Sequence, residues 1–456
     1  MKSYDLLILG AGPGGCEAAV LGAQLGLSVG IVEQDELGGT CLNVGCVPTK
    51  ILLGATELLD ELAAYRKLRV LDGALHVDLS ALQRRKDQVV SAFRKGIEKR
   101  LAAHGVAVFR GLGRITDEHT VEVEHAGAPC TVPLRFQHLI LATGSSPSIP
   151  RGVKVDGTRI LTSDHAISLK EAPADLAIIG GGVIGCELAT YFGRLGTKVT
   201  LVEMAAQLLP GEDTQIAKSL SSAFDRKGIR VRLNAQVERL TPNGDRALCA
   251  FANGEETLYQ RAIVCTGREP SAAGIGLSDI GLTDKGPLSV NERMETAIPH
   301  IYAIGDLTGK GMLAHVASRQ GVVAAENAAG GDARMAYHAI PSCVFSSPEI
   351  FGVGLTKEAA QKLGLAVCAG EAPLATNAKA QASGDPAGFV KIVAEKGSGR
   401  IVGVQGIGHH VTGLAAEAAL MIQQEITLAA FCETIHPHPT LSESLHEAAE
   451  KMLHHG

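Results

Sequence analysis

Cys41 and Cys46 stand with four residues between them in the run GGTCLNVGCVPTK, residues 38–50. Two thiols this close can form one disulfide when their Cα atoms come within about 7 Å. A disulfide held beside a bound redox cofactor can pass electron pairs. To do so repeatedly it needs an electron acceptor, a base that generates thiolate, and nearby positive charge. Lys50 lies about one helical turn beyond Cys46 and supplies a cation. Among the 16 histidines, most read as surface or satisfied residues, His409, His410, His454 and His455 as loop and tail. His438 stands out in HPHPTLSE, residues 436–443: Pro439 fixes the backbone after it, and Glu443 can fold back to orient its ring. A base oriented by a carboxylate is how weak nucleophiles are usually activated.

The elements that must hold these residues repeat within the chain. DLLILG, residues 5–10, returns as DLAIIG, residues 175–180. Gly10, Gly12 and Gly15 return as Gly180, Gly182 and Gly185, and the strand ending at Glu33 returns as the strand ending at Glu203. Each copy reads strand, G-x-G-x-x-G, helix, strand, acidic residue, the pattern of a dinucleotide site. Its glycines permit a tight turn, close approach of a pyrophosphate and helix–strand packing, and its carboxylate accepts from a ribose hydroxyl. Two copies in register predict two different dinucleotides. The thiol loop belongs to the first copy, whose resident redox cofactor is then a flavin, and Lys50 could balance charge on its reduced form. Glu187, in GGGVIGCE of the second copy, is the expected partner of Lys50. Glu203 repels a 2′-phosphate and MAAQ follows it without an arginine, so the second nucleotide reads as NAD rather than NADP.

Size and composition bound the rest. The 456 residues exceed one core and predict two to four domains. A net charge of −6 offers no basic surplus for nucleic acid. Apolar runs are short and broken, so no membrane span is expected. The opening residues show no secretory pattern, and ten cysteines are far too few for a disulfide scaffold. Cys16, Cys130, Cys186, Cys249, Cys265, Cys343, Cys368 and Cys432 read as small buried apolar residues. The expected setting is cytoplasmic, and no metal is expected.

Helices are predicted over 49–65, entered through Pro48, and over 78–104, with Leu82, Val89, Phe93, Ile97 and Leu101 on one face. Arg84, Arg85, Lys86 and Lys95 read as a solvated basic face. Strands are expected at 105–110, 119–124 and 138–143, 300–309 reads as a strand ending on a turn with an acidic residue, and a β-rich hairpin is expected over 389–408.

The chain resembles the pyridine nucleotide–disulfide oxidoreductases over essentially its whole length. GGTCLNVGCVPTK, GGGVIGCE, YAIGDLTG followed by MLAH, and HPHPTLSE carry the resemblance. HPHPTLSE and Glu203 narrow it to the members that oxidise dihydrolipoamide. It implies an α/β fold with two Rossmann-like dinucleotide-binding domains, for FAD and NAD, and an α+β C-terminal dimerisation domain. The implied limits are 1–149 for FAD, 150–275 for NAD, 276–335 for a central domain completing the FAD site, and 336–456 for the interface. The implied FAD set is Gly10, Gly12, Gly14, Gly15, Glu33, Gly39, Thr40, Lys50, Gly111, Thr143, Gly144, Ser145, Asp306, Met312, Leu313, Ala314 and His315, with FAD bound tightly but not covalently. The implied NAD set is Gly180, Gly182, Val183, Ile184, Gly185, Glu187, Glu203, Val237 and Gly267.

The implied catalytic residues are Cys41, Cys46, Lys50, Glu187, His438 and Glu443, the last two serving Cys41 of the partner subunit in a homodimer. A lipoyl carrier domain is the implied partner. The sequence departs from the family pattern at Pro437, where alanine is common, and at Cys343, where a plain aliphatic residue is common. Two rivals remain: another disulfide reductase of the family, and a redox-sensing flavoprotein without catalysis. A glutathione-type enzyme would want arginines after Glu203, and a mercuric reductase a C-terminal cysteine pair; both are missing.

Overall fold

A computed structural model describes residues 2–124 and 131–455; Cys130 lies outside them, as do the side chains of His454 and His455. The chain divides into two compact units. The first comprises residues 1–49, 83–148 and 267–336, and the second residues 50–82, 149–266 and 337–456.

The first unit is built on a seven-stranded sheet. Its central strand Lys2–Leu9 pairs in parallel with Val29–Glu33 and with Thr131–Leu141. Leu6, Leu7, Ile8 and Leu9 are all essentially inaccessible. Such an unbroken apolar run marks a strand covered on both faces. Ala107–Arg110 extends one side in parallel. On the other, the hairpin of Leu112–Asp117 and Thr120–Glu124 pairs antiparallel with Thr131–Leu141. Ile301–Ala303 joins Thr131–Leu141 in parallel, so a segment from late in the chain completes this sheet.

The second unit holds the second parallel sheet, in the order Arg230–Arg232, Lys198–Val202, Asp175–Ile179, Arg261–Val264, Ile160–Thr162. A three-stranded antiparallel meander over residues 237–259, which the sequence pattern did not reveal, packs its Leu240, Cys249 and Phe251 with Ile179 and Val202 of that sheet. The C-terminal part of the unit is a five-stranded antiparallel sheet, order Pro341–Val344, Glu349–Gly354, Ile401–Gly408, Phe389–Glu395, Val367–Pro373. Phe389–Glu395 and Ile401–Gly408 form the expected hairpin. Helices Ala415–Gln423 and Glu443–His455 close over it, burying Ala418, Met421, Leu445 and Ala448 against Phe351, Val390 and Val404.

Two helices differ from the sequence reading. The first runs Cys46–Lys67, starting three residues early, so Cys46 itself stands at its N-terminus. Pro48 is accommodated in the first turn, where backbone N–H groups have no helical acceptor. The second runs Leu79–Ala103, but its covered stripe passes through Leu82, Gln83, Lys86, Val90 and Leu101. Phe93 is 59% exposed, and Lys86, expected in solvent, is 6% exposed. A lysine stem covers apolar surface as readily as an aliphatic side chain, so apolar type alone misplaced the covered face.

Of the scattered cysteines, Cys16, Cys186, Cys249 and Cys265 are buried, while Cys343, Cys368 and Cys432 are half-buried. Burial pushes the thiols of Cys16, Cys249 and Cys265 up to about 12 and that of Cys343 to about 11, which keeps them protonated and unreactive.

Candidate active site

The two glycine turns repeat the same local geometry. Gly10 N–H donates to Val32 O at 2.8 Å, and Gly180 N–H to Val202 O at 2.8 Å. At φ +104° and +111°, Gly10 and Gly180 lie in backbone space that other residues rarely adopt. A Cβ on Gly10 would meet Ala142 O at 2.3 Å, and one on Gly180 would meet Cys265 O at 2.2 Å. Gly15 and Gly185 pack so tightly on their own turns that a Cβ would fall 2.0 and 1.9 Å from the first glycine's carbonyl oxygen. Gly12 and Gly182 are different: nothing lies within 4 Å of the Cβ position of either. Each caps the N-terminus of a helix, Pro13–Gln24 and Val183–Arg194, whose first N–H groups lack helical acceptors. An open face over a positive helix end is the cradle a pyrophosphate requires.

The acidic partners repeat as well. Glu33 is 8% exposed and accepts from Ala11 N–H at 2.6 Å and Asp35 N–H at 2.9 Å. Glu203 is 7% exposed and accepts from Gly181 N–H at 2.7 Å and Ala205 N–H at 2.8 Å. Each carboxylate oxygen keeps lone pairs beyond the one its amide uses, as recognition of a ribose diol needs. Arg232, whose carbonyl accepts from Glu203 N–H, pairs its guanidinium with Glu255 at 2.7 Å and lays it over the Phe251 ring. It is thus committed away from a 2′-phosphate.

The thiol loop lies on the first of these turns. Gly38 N–H donates to Ala11 O at 2.8 Å, and a Cβ on Gly39 would come within 2.8 Å of Gly12 Cα. The short helix Gly39–Asn43 starts there and carries Thr40 and Cys41. Gly45 lets the chain close back on that helix: its Cβ would stand 2.8 Å from Thr40 O and 3.2 Å from Cys41 Cα. Cys46 follows at once, exposed, at the start of Cys46–Lys67, while Cys41 is half-buried. A helix N-terminus lowers thiol pKa and favours thiolate.

Two features bracing this unit escaped the sequence reading. Asn43 Nδ2 donates to Leu37 O and Gly39 O, at 3.1 and 2.9 Å, while its Oδ1 accepts from Arg94. Arg94 also donates to Glu36 at 2.9 Å, locking the loop to the helix Leu79–Ala103. Arg268 donates from Nε to Ser145 Oγ and from Nη2 to Ser145 O, both at 2.7 Å, and Ser145 Oγ donates to Asp306. Thr143 Oγ1 donates to Ser271 O, and Gly111 N–H to Glu33 O. Thus Gly111, Thr143, Ser145 and Asp306 all belong to the unit that carries the first turn. Met312 and His315 are exposed, Leu313 and Ala314 partly so, at the N-terminus of Ala314–Ala328. That helix packs on the fingerprint helix, with Gly14 against Ala317 and Gly321 against Gly14.

In the second unit, Lys50 Nζ donates to both Glu187 oxygens at 2.8 Å. Glu187 is 3% exposed and also accepts from Phe345 N–H at 3.0 Å, and Lys50 Nζ stands 4.8 Å from the centre of the Phe345 ring. Val183 is exposed and Ile184 partly so at the start of the second fingerprint helix. Val237 opens the meander, partly buried. Gly267 opens the last segment of the first unit, with nothing within 4 Å of its Cβ position. His438 Nδ1 lies 2.9 Å from Glu443 Oε1, and Glu443 Oε2 accepts from Thr440 N–H at 2.8 Å. The Thr440 amide, then the His438 bond, hold the Glu443 carboxyl below the usual range, so it stays ionised. The His438 ring is 72% exposed. His436, which the sequence did not single out, is 6% exposed and bonded to Glu417 at 3.0 Å and Thr434 O at 3.0 Å. It pins the start of the loop that carries His438.

Known proteins resemble this chain in sequence and fold. Residues 4–321 match the model of the family described as pyridine nucleotide-disulphide oxidoreductase, and residues 340–449 match its dimerisation domain. The dihydrolipoyl dehydrogenase of Chlamydia muridarum (strain MoPn / Nigg) is 39% identical, across 98% of this chain and 96% of its own. That of Bacillus subtilis (strain 168) is 39% identical, across 98% and 97%. The crystal structure of LpdA from Mycobacterium tuberculosis matches with a TM-score of 0.92 at 30% identity, covering 99% of this chain and 100% of that one. The two glycine turns, the thiol loop and the paired His438 and Glu443 thus stand in a chain that belongs to the pyridine nucleotide-disulphide oxidoreductases.

Proposed function

We propose that this protein is a dihydrolipoyl dehydrogenase, oxidising protein-bound dihydrolipoamide and reducing NAD⁺. One observation carries the reading: the loop holding Cys41 and Cys46 packs directly on Gly12 of the first dinucleotide turn. Glu203 and the commitment of Arg232 to Glu255 favour NAD at the second turn. When bound, FAD supplies the two-electron acceptor between the thiols and the nicotinamide.

The chain's own residues perform the rest. In the resting enzyme Cys41 and Cys46 form a disulfide. His438, oriented by Glu443, takes the proton from one substrate thiol. The substrate thiolate attacks Cys41 Sγ, forming a mixed disulfide and releasing Cys46 as thiolate at its helix N-terminus. The second substrate thiol attacks the substrate sulfur of that mixed disulfide, passing its proton to Cys41 as Cys41 departs, and the product leaves as a cyclic disulfide. Two electrons have then passed from the dithiol to the cysteine pair. Lys50, fixed by Glu187, adds positive charge one turn beyond Cys46.

The active unit is a homodimer, in which His438 and Glu443 serve Cys41 of the partner subunit; their position within the dimerisation-domain match supports this. The domain limits follow as 1–149, 150–275, 276–335 and 336–456. Pairing of Ile301–Ala303 with the first sheet supports a central segment that completes the FAD site. A cytoplasmic enzyme serving a lipoyl carrier domain fits a reactive thiol pair, and among the described residues no helix is long and apolar enough to cross a membrane. The test is steady-state NAD⁺ reduction by dihydrolipoamide in wild type and Cys46→Ser. The variant should stay yellow and lose dithiol oxidation. Full activity in the variant, or a wild type that prefers another disulfide substrate, would overturn the reading.

A further inference from the structure

Away from the thiols, four metal-ligating side chains converge within the second unit. Glu57 and Glu61 are one turn apart on Cys46–Lys67 and share a face. The turn after strand Ile401–Gly408 presents His409 and His410, their ring centres 3.8 Å apart. One donor atom from each of the four lies within 4.8 Å of every other. His410 Nδ1 is 3.7 Å from Glu57 Oε1 and 3.8 Å from Glu349 Oε1, too far for hydrogen bonds. Among the described residues, no hydrogen bond engages any of the four side chains. Two carboxylates and two imidazoles therefore gather without hydrogen bonds among the described residues, His410 making only long ion-pair contacts with Glu57 and Glu349. Three of the four are partly buried, at the edge of a cleft of about 540 Å³ that Glu57, Asp60, Glu61, Arg194, Lys227 and His409 help to line.

We propose that Glu57, Glu61, His409 and His410 form a binding site for one divalent cation of the zinc class per chain. The donor set selects the ion. Imidazole nitrogen suits zinc and its late first-row neighbours, whereas magnesium and calcium take all-oxygen shells. Ligands about 2.0–2.2 Å from a tetrahedral ion lie roughly 3.4 Å from one another. Closing from 4.8 Å needs only rotation about glutamate and histidine side-chain bonds. The bound ion would tie the helix that begins at Cys46 to the turn after Ile401–Gly408, and the site stands whatever the dithiol substrate.

The test uses untagged, chelator-treated holoenzyme with its active-site disulfide oxidised, titrated calorimetrically with Zn²⁺ in excess Mg²⁺. Wild type should bind one Zn²⁺ per chain, and Zn²⁺ should raise its unfolding temperature. Glu57→Gln/Glu61→Gln and His409→Gln/His410→Gln should each weaken binding on the order of a hundredfold or more, beyond what loss of an outer-shell partner costs. The single variant His410→Gln, at the most exposed of the four positions, should weaken binding with flavin content and turnover unchanged. Co²⁺ in place of Zn²⁺ should give tetrahedral ligand-field bands without sulfur charge transfer. Absence of Zn²⁺ binding, binding undiminished in the variants, or sulfur charge transfer with Co²⁺ would each overturn the proposal.

Discussion

Replacing Lys50 with methionine tests whether its charge and that of Glu187 act as a unit. The substitution keeps most of the stem and removes the ammonium. It leaves a carboxylate that is 3% exposed with Phe345 N–H as its remaining hydrogen bond among the described residues. Removing one partner from a buried ion pair costs about 3–5 kcal/mol. The Lys50 side chain is 35% exposed, however, so water screens part of the uncompensated charge and about 2 kcal/mol is expected. Glu187→Gln keeps an acceptor for Phe345 N–H and should cost about 1 kcal/mol. The double variant removes both charges, so it should fall short of the sum by about 1–2 kcal/mol. Guanidinium denaturation of the four flavin-loaded proteins measures the cycle, and dithiol oxidation in the same proteins reads the catalytic share. Lys50→Met should slow turnover more than Glu187→Gln, because only the first removes positive charge near Cys46. Additivity within about 0.3 kcal/mol would refute the idea that Glu187 positions Lys50.

Glu203→Gln should raise the KM for NAD⁺ about tenfold or more with kcat largely kept, since a charge-assisted bond to a ribose hydroxyl contributes about 1.5–3 kcal/mol; unchanged NAD⁺ saturation would dismiss Glu203 as the ribose partner. Glu443→Gln should lower dithiol turnover by between about 10² and 10⁴ without affecting reduction of artificial acceptors by NADH. Because the folded carboxyl of Glu443 lies below its ordinary 4.5, its contribution to stability is complete above that value and is lost only as pH falls through the lower folded value. Glu443→Gln should therefore lose less stability than wild type as pH falls below 4.5, and an equal loss would contradict the assignment. Gly12→Val should fold yet purify colourless, as its Cβ position is open, whereas Gly10→Val, aimed at Ala142 O from 2.3 Å, should fail to fold; a yellow Gly12→Val protein would rule out the proposed cradle.

Local requirements were legible in the residues themselves. A turn at φ above +100°, a helix end open to an anion and a carboxylate facing two amides need particular residue types at fixed spacing, so both nucleotide turns could be read from Gly10 to Glu33 and from Gly180 to Glu203. The same holds for Cys41 with Cys46 and for His438 with Glu443, whose partners lie within one turn or loop. Only the folded chain could show that Arg94 braces Asn43 across 51 residues, that Arg268 holds Ser145 across 123, or that His436 is anchored by Glu417. It alone turned Phe93 outward and Lys86 inward, because a periodicity places apolar residues on a face without saying what packs there. The gathering of Glu57 and Glu61 with His409 and His410 is the extreme case. Nothing in either segment announces the other, and the histidines read as ordinary loop residues. Sequence records the chemistry that neighbours along the chain can complete. Chemistry assembled from distant segments exists only once sheet pairing and helix packing have brought them to one place.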